Sequence, residues 1–369
     1  MRDRIRSRRG YTAATIDLAS PDVARDPFVH YESLRKHGSV QFLTHHNFWI
    51  VLGAAEVEAA FAQHDSFSNR PYSPVDSVLL GEDPPRHTEV RRLLTHEFSA
   101  AVLQRLATHA EQTAERLLRD RIDVVNDFGA PLSRAVAADL IGFDDDDVVA
   151  ILAASQSSLQ TADPVATLIH SLDNIAERSS LFARLMNDRD RVLDESEVRS
   201  IVRLFWLAAT MTTERTITRC VLRLLQHDDA RRAITADAAP LSAFIQEVMR
   251  LHPPEHTVPR LALRDVILGG TTIPAGAIAH LCVSAANRDP ARFDDAASLR
   301  LDRPAARNFT FGSGVHRCIG APLARSVVQI ALQTLLRTMP DFRALQSLDD
   351  IPYFATATAL TPLQLVIGR

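Results

Sequence analysis

Residues 311–325 read Phe-Gly-Ser-Gly-Val-His-Arg-Cys-Ile-Gly-Ala-Pro-Leu-Ala-Arg, and they carry the strongest signal in the sequence. Gly312 and Gly314 allow the backbone to turn tightly and to approach a bulky group. Cys318 stands just before a predicted helix over 319–338, where helix N–H groups and a bound metal both favour the thiolate. One thiolate without a second Cys or His at ligand spacing does not make a zinc site. It suits an iron whose other ligands come from a porphyrin.

The composition restricts the class of protein around this motif. The chain has 369 residues, 46% of them hydrophobic, which is enough for one large domain or two ordinary ones. Its net charge of -4 argues against nucleic acid or an anionic membrane as the main partner. The first 20 residues carry charge without a following apolar segment, so neither a secretory signal nor a membrane anchor is expected. Three scattered cysteines favour a reducing, cytoplasmic location.

Apolar periodicity predicts that most of the chain is helical. The predicted helices cover residues 22–37, 53–63, 84–95, 100–118, 129–141, 145–159, 197–227, 240–252 and 319–338. Strand-like patterns occupy 40–51 and 258–285, and the latter surrounds turns at its glycines. We therefore expect a mainly α fold with a small β part. A flexible N-terminal extension over 1–20 would precede a single domain over 21–369.

The glycine and cysteine pattern resembles the heme-binding motif of the cytochrome P450 superfamily, in its soluble bacterial form. Every specified position of that motif is present: Phe311, Gly312, Gly314, His316, Cys318 and Gly320. The resemblance implies the P450 fold, with heme b (iron protoporphyrin IX) as cofactor and O2 as co-substrate. It also implies that Cys318 is the axial ligand of the iron. Cys220 and Cys282 lie in apolar segments, a helix and a strand, and are predicted to be buried packing residues.

Glu247 and Arg250 form a second motif about seventy residues before the cysteine. They are three apart on a predicted helix, so they share a face and can form an ion pair. The pair resembles the ExxR element of the family. The resemblance implies a structural ion pair that stabilises the core behind the heme.

Four cationic or hydrogen-bonding side chains form a third set of candidates. His87 and Arg91 are four apart on a predicted helix and resemble the HxxxR element of the family. Arg260 follows a proline-rich stretch, and His316 lies two residues before the cysteine. Arginine offers bidentate hydrogen bonds to carboxylates. By the resemblance, these four residues bind the heme propionates.

The long helix departs from the family at the positions that deliver protons to dioxygen. In most members a small pair is followed by an acidic residue and a threonine. Thr212 keeps the threonine and is the candidate catalytic residue, but Met211 stands at the usual acid and Ala209 at the usual glycine. A methionine cannot relay a proton, whereas a carboxylate can act as a general acid through water.

Several functions remain compatible with this departure. The first is a monooxygenase in which Thr212, water and substrate hydroxyls supply protons, inserting oxygen into a small or mid-sized organic substrate of specialised metabolism. The second is phenol or aryl coupling, desaturation or another oxidation without oxygen insertion; peroxide-driven turnover is a further route. The rival from another class is a heme-binding or carrier-recruiting module without turnover.

Substrate-pocket candidates follow from position in the family's fold. They include residues that are apolar or small with hydroxyls, as in most ligand sites, together with one arginine: Arg70, Trp206, Leu207, Thr210, Met211, Thr257, Val258 and Ala357. A short lid region between 155 and 197 suits a large, carrier-bound or peptide-bound substrate. The resemblance implies that electrons from NAD(P)H arrive through a ferredoxin and its reductase.

Overall fold

The computed structural model describes residues 12–14, 16–18, 20–157, 181–187, 192–237, 239–304, 307–348, 351 and 364–368. Most of the described residues are helical, which confirms the predicted class. The helices are α1 (Pro21–Arg25), α2 (Pro27–Lys36), α3 (Ala54–Ala62), α4 (Arg86–Leu94), α5 (Ala100–Leu117), α6 (Ala130–Ile141), α7 (Asp145–Ser157), α8 (Leu181–Met186), α9 (Glu195–Gln226), α10 (Asp228–Ala236), α11 (Pro240–Leu251), α12 (Val283–Ala286) and α13 (Ala321–Thr338).

Short helical turns and strands complete the secondary structure. The 3-10 turns are Arg70–Tyr72, Thr95–Phe98 and Gly314–His316, and a π-helix covers Val124–Gly129. The strands are β1 (Thr12–Ala14), β2 (Val40–Leu43), β3 (Phe48–Val51), β4 (Phe67–Ser68), β5 (Arg121–Asp123), β6 (Val258–Ala262), β7 (Val266–Leu268), β8 (Thr271–Ile273), β9 (Ile278–Leu281), β10 (Arg343–Ala344) and β11 (Val366–Gly368).

Chain contacts divide the protein into two compact units. Unit 1 comprises the described residues within Met1–Tyr72, Gln246–Cys318 and Asp349–Leu363. Its six-stranded sheet has the order β1-β2-β3-β9-β6-β4, and β7 and β8 form a separate hairpin. Both faces of the sheet are buried, since Trp49 packs in one apolar cluster and the adjacent Ile50 in another. For that reason β3 is continuously hydrophobic and does not alternate with polar residues.

Unit 2 is mainly helical. It comprises the described residues within Ser73–Ile245, Ile319–Leu348 and Gln364–Arg369. Its central element is α9, whose 32 residues extend about 48 Å at 1.5 Å per residue. Helices α6 and α13 pack on α9, and α5 packs on both α6 and α13. A capping box between Asp194 and Glu197 begins α9, because each side chain accepts a hydrogen bond from the backbone N–H of the other residue.

The predicted helices are observed, with ends shifted by a few residues. The predicted helix 22–37 is two helices, because Asp26 breaks the helix before Pro27 and its side chain accepts a hydrogen bond from the N–H of Phe28. The predicted strand region 258–285 ends in the short helix α12, so Cys282 precedes a helix and does not lie in a strand. Helices α8 and α10 were not predicted from the sequence.

The expected boundary at residue 21 also differs from the structure. Strand β1 pairs in parallel with β2, so residues 12–14 of the expected extension belong to the sheet of unit 1. Lys36, the single lysine of the chain, lies at the end of α2 with its side chain 73% exposed. None of the described helices combines the length and apolarity needed to cross a membrane.

Candidate heme-thiolate site

Cys318 ends a tightly folded loop in unit 1. Its thiol is exposed, and its backbone N–H donates to the carbonyl of Phe311 at 2.9 Å. Gly312 and Gly314 adopt φ values of 64° and 69°, in the left-handed region that favours glycine. Gly320 follows as the N-cap residue of α13. The loop therefore presents one sulfur atom outward, just before a helix begins.

Phe61 of α3 holds this loop from the other side. A Cβ on Gly314 would overlap the carbonyl oxygen of Phe61, so the loop approaches α3 more closely than any side chain would allow. The ring of Phe61 stacks on Phe309 with centroids 6.2 Å apart. The guanidinium of Arg260, on β6, lies 5.4 Å from the centroid of the same ring. Phe61 thus connects a predicted propionate ligand to the cysteine loop, a role that nothing in the sequence indicated.

The Glu247 and Arg250 pair is buried within unit 1. Arg250 is 1% exposed, and its Nε and Nη2 donate to the two oxygens of Glu247 at 2.7 and 2.9 Å. Its Nη1 donates to the backbone carbonyls of Asn287 and Ala296 at 2.8 and 2.7 Å. Because the guanidinium also bonds backbone, the pair fixes the loops that follow α12.

Asn287 connects the Glu247 and Arg250 pair to the start of the cysteine loop through hydrogen bonds. Its side-chain oxygen accepts from the N–H of Phe309 at 2.7 Å, and its amide donates to the hydroxyl of Thr310 at 3.1 Å. That hydroxyl in turn donates to the carbonyl of Met249, on α11, at 2.8 Å. A closed circuit of hydrogen bonds therefore joins the ion pair to the backbone just before Phe311.

Glu247 is charged at neutral pH in this setting. Burial raises the pKa of its carboxyl, but hydrogen bonds from Arg250 and Arg303 outweigh burial and hold the pKa below its usual range. The backbone N–H of Arg300 also donates to it, at 3.2 Å. An ionised carboxylate with four donors is a fully satisfied buried charge, which is the condition for such a pair to be stable.

The predicted propionate ligands divide between the units. Arg260 is 5% exposed in unit 1, where His316 closes the 3-10 turn Gly314–His316. In unit 2, His87 is 1% exposed on α4, and Arg91 lies one turn later on the same helix, partly exposed. Their roles toward a heme stay predictions.

The residues that the sequence marks as departures from the family, Ala209 and Met211, lie near the midpoint of helix α9. The hydroxyl of Thr212 donates to the carbonyl of Ala208 at 2.7 Å, and Thr210 donates to Trp206 in the same way at 2.8 Å. The side chain of Met211 is 44% exposed. The helix therefore presents a thioether at the position where the resemblance predicts a carboxylate.

Glu214 does not replace that carboxylate. It lies two residues from Thr212, which turns it about 200° around the helix. Its oxygen accepts from the hydroxyl of Thr218 at 3.2 Å, and its side chain packs beside Gly129 of the π-helix. Burial raises the pKa of this carboxyl, although Thr218 and nearby arginines oppose the effect.

The pocket candidates vary in their surroundings. Trp206 is only 4% exposed and packs on Phe143 at 5.8 Å, so the structure places it in the core and not on an open wall. Leu207 and Thr210 are partly exposed on α9, and Arg70 is exposed in the turn Arg70–Tyr72.

Two further candidates lie at the start of β6. The hydroxyl of Thr257 lies 3.1 Å from Nδ1 of His280, and Val258 packs against the apolar core of unit 1. Ala357 and much of the lid region, residues 158–180 and 188–191, lie outside the described residues.

The other two cysteines are sealed in the core, as predicted. Cys220 and Cys282 are both 0% exposed. Burial raises the pKa of the Cys220 thiol well above its usual range, and it raises that of Cys282 to about 12. Both therefore remain neutral thiols, which leaves Cys318 as the one exposed cysteine of the chain.

Comparisons with known proteins assign the family. The profile of the cytochrome P450 family matches residues 151–340. A curated relative, cytochrome P450 107B1 of Saccharopolyspora erythraea, is 32% identical over 299 residues, which cover 74% of this chain and 72% of that protein. The chain belongs to the cytochrome P450 family.

Two further P450 relatives match over nearly the whole chain. The vitamin D(3) 25-hydroxylase of Pseudonocardia autotrophica is 28% identical, covering 91% of this chain and 92% of that protein. The solved structure of the tirandamycin C-bound P450 monooxygenase TamI is 27% identical with a TM-score of 0.81, covering 96% and 99% of the two chains. This P450 therefore has the family's fold, and it is an enzyme of the monooxygenase class.

The residues present fit the cofactors of a P450. The family uses heme, O2 and electrons that originate from NAD(P)H and arrive through redox partners, and these are the cofactors of this chain. Among the described residues, no group of three or more His, Cys, Asp or Glu could hold a metal ion by itself. A single exposed thiol in a glycine loop is instead the donor set for an iron that a porphyrin already coordinates.

Removing the charge of Arg250 should destabilise the protein strongly. Arg250→Met removes two of the four donors to the Glu247 carboxylate and the shared donor to three backbone carbonyls, so we expect a loss of about 3–5 kcal/mol in the free energy of unfolding. The control is Arg337→Ala, which breaks exposed pairs with Glu111 and Glu115 and should cost less than about 1 kcal/mol. Urea unfolding measures both; equal losses would contradict the role assigned to Arg250.

Adding one methyl group at Gly314 should disrupt the cysteine loop. Gly314→Ala and Gly270→Ala both place a side chain at positive φ, at a cost of about 1–2 kcal/mol each. Only Gly314→Ala also forces the backbone of Phe61 to move, because a Cβ at Gly270 meets nothing within 4 Å. We expect a clear loss of bound heme per chain for Gly314→Ala and none for Gly270→Ala. Equal heme content in the two variants would refute the close contact.

Proposed function

We propose that this P450 is a heme-thiolate monooxygenase that inserts oxygen from O2 into a small or mid-sized organic substrate of specialised metabolism. The observation that carries the proposal is the exposed thiol of Cys318 at the end of its glycine loop. Relatives support the substrate class, since one is a vitamin D(3) 25-hydroxylase and another binds tirandamycin C.

Each site residue has one task in this proposal. Cys318 would be the axial ligand of the heme iron, within the loop formed by Phe311, Gly312 and Gly320. The cationic and imidazole side chains that would hold the propionates are His87, Arg91, Arg260 and His316. Heme, when bound, activates O2 with electrons derived from NAD(P)H. Glu247 and Arg250 act on the site only through the hydrogen-bond circuit that orders the loop.

Thr212 is the residue that would position the water or substrate hydroxyl that delivers protons, and the hydrogen bond of its own hydroxyl restricts it to accepting. Its hydroxyl hydrogen is engaged by the carbonyl of Ala208, so its oxygen remains available to accept a hydrogen bond from water or substrate. Met211 offers no proton, and Glu214 is bonded to Thr218. Protons would therefore come from water or from the hydroxyl groups of the substrate.

This reliance on the substrate favours a second candidate function. A substrate that supplies its own hydroxyl can be oxidised without oxygen insertion, as in phenol or aryl coupling. The exposed thioether of Met211 is the observation that supports it, because an apolar side chain there leaves space for substrate in place of an acid and its water.

Redox partners complete the reaction. We propose a ferredoxin and its reductase, which would deliver the electrons that originate from NAD(P)H. Arg317 and Arg325 lie one and seven residues from the cysteine in sequence, and both are exposed cations of the kind that an acidic protein surface attracts.

Carbon monoxide binding to the reduced protein tests the ligand assignment. We expect the thiolate signature in the difference spectrum of the wild type, of Cys220→Ala and of Cys282→Ala, and its loss in Cys318→Ser. Each control removes a thiol that is fully buried and neutral. A thiolate signature that survives in Cys318→Ser would sink the proposal. If heme binds but no substrate is turned over by a reconstituted electron chain, the protein is a heme-binding module.

Substitution of Met211 separates hydroxylation from coupling. Substrates are found first by a screen for the shift of the heme iron from low to high spin. Met211→Glu places a general acid beside Thr212, so a hydroxylase should form the same product roughly tenfold faster or more in NADH-driven turnover. Met211→Gln, of similar size without an acid, is the control and should show no gain. A lower yield or a different product in Met211→Glu would favour the coupling function.

A further inference from the structure

Residues 73–81 of unit 2, the 73–81 loop, form a loop whose two ends are in contact. The N–H of Gly81 donates to the carbonyl of Asp76 at 2.9 Å, and the hydroxyl of Ser73 points to the carbonyl of Gly81 at 3.4 Å. A Cβ on Gly81 would lie 2.6 Å from the backbone nitrogen of Ser73. Because only a glycine allows the ends so close, the loop is a compact unit of backbone.

The carboxylate of Asp76 is the centre of this loop. Asp76 is 1% exposed, and its Oδ1 accepts from the N–H groups of Val78, Leu79 and Leu80 at 3.2, 2.6 and 2.8 Å. Its Oδ2 accepts from the hydroxyl of Ser200, on α9, at 2.6 Å. One oxygen thus holds the loop together, while the other joins the loop to the helix.

Two arginines strengthen the attachment to α9. Arg203 donates to the backbone carbonyl of Val75, at the tip of the loop. Arg86, just beyond the loop, donates to Oε1 of Glu197 at 3.0 Å. Glu197, Ser200 and Arg203 are spaced by three residues, so all three contacts use one face of α9.

The same face of α9 continues through Leu207 and Met211. Ser200 and Met211 are three turns apart, or roughly 16 Å along the helix axis. Beyond Met211, the side chain of Glu214 packs beside Gly129 of the π-helix. The stretch from Leu207 to Met211, which includes the exposed Ala208, is therefore an open window on this face within unit 2. The 73–81 loop covers the face on one side of the window, and the π-helix covers it on the other.

We propose that Asp76 is a positioning residue: its bond to Ser200 holds the 73–81 loop on α9 and so limits how fast molecules reach the window at Met211. The inference rests on the proposed function, which assigns Met211 and Thr212 to the oxidation site. The Ser200 hydroxyl is the specific point of control. Its loss removes the bond between the Asp76 carboxylate and α9 and so loosens the attachment of the loop, whereas the three N–H bonds to Oδ1 keep the loop folded.

Ser200→Ala tests the inference without disturbing the internal bonds of the loop. Ser196→Ala is the matched control. Ser196 lies one turn before Ser200 on α9, and its exposed hydroxyl donates to Asp194 and not to the loop. Ser200→Thr keeps the hydroxyl and should restore wild-type behaviour. The measurements are deuterium exchange of the backbone amides of 77–81 and the association rate of imidazole with the heme of the ferric holoenzyme.

Loss of a hydrogen bond to a carboxylate should increase both amide exchange in the loop and imidazole association by roughly tenfold in Ser200→Ala. Ser196→Ala and Ser200→Thr should match the wild type. Unchanged amide exchange in Ser200→Ala would show that the bond between Asp76 and Ser200 does not hold the loop on α9. Faster exchange with unchanged imidazole association would show that the loop does not limit access to the window at Met211. Deuterium exchange does not depend on heme. It therefore still tests the bond between Asp76 and Ser200 if the carbon monoxide spectrum lacks the thiolate signature and the proposed function fails.

Discussion

The buried guanidinium of Arg250 is the group on which the geometry of the cysteine loop depends. A cation with almost no exposed surface must have all its hydrogens engaged, and here Glu247 and three backbone carbonyls of the segment after α12 engage them. Asn287 then transmits this order to Phe309 and Thr310. The loop that carries the thiol of Cys318 is therefore ordered by buried charges that do not contact the thiol.

Helix α9 imposes a different kind of constraint. Its backbone accepts the hydroxyl hydrogens of Thr210 and Thr212, so the threonines are oriented by the helix and not by a neighbouring acid. Met211, which lies between these two threonines in the sequence, has an apolar and polarizable thioether side chain. Helix α9 is continuous at this point, Met211 offers no proton, and the carboxylate of Glu214 bonds Thr218 about 200° around the helix from Thr212.

Features that chemistry ties to fixed spacing could be predicted from the sequence: the cysteine loop, the buried Glu247 and Arg250, and the long helix. The contacts that hold them could not, because they join residues far apart in the chain without a local signal. Phe61 beside Gly314 and Asp76 beside Ser200 are such contacts. Trp206 was predicted wrongly for a different reason. Its position along α9 suggested a pocket residue, but its rotation around the helix axis directs the side chain into the core. Strand β1 was missed because three residues are too few for periodicity to register.

The composition of the charged surface has a practical consequence. Forty of the 41 basic side chains are arginines, and Lys36 alone carries a primary amine, exposed at the end of α2. Amine-directed reagents would therefore attach a dye, a cross-linker or a solid support at one internal point of this chain, in unit 1. Arg317 and Arg325 would stay chemically untouched, so a redox partner could be captured or its distance to Lys36 measured without altering the cations that are proposed to receive it.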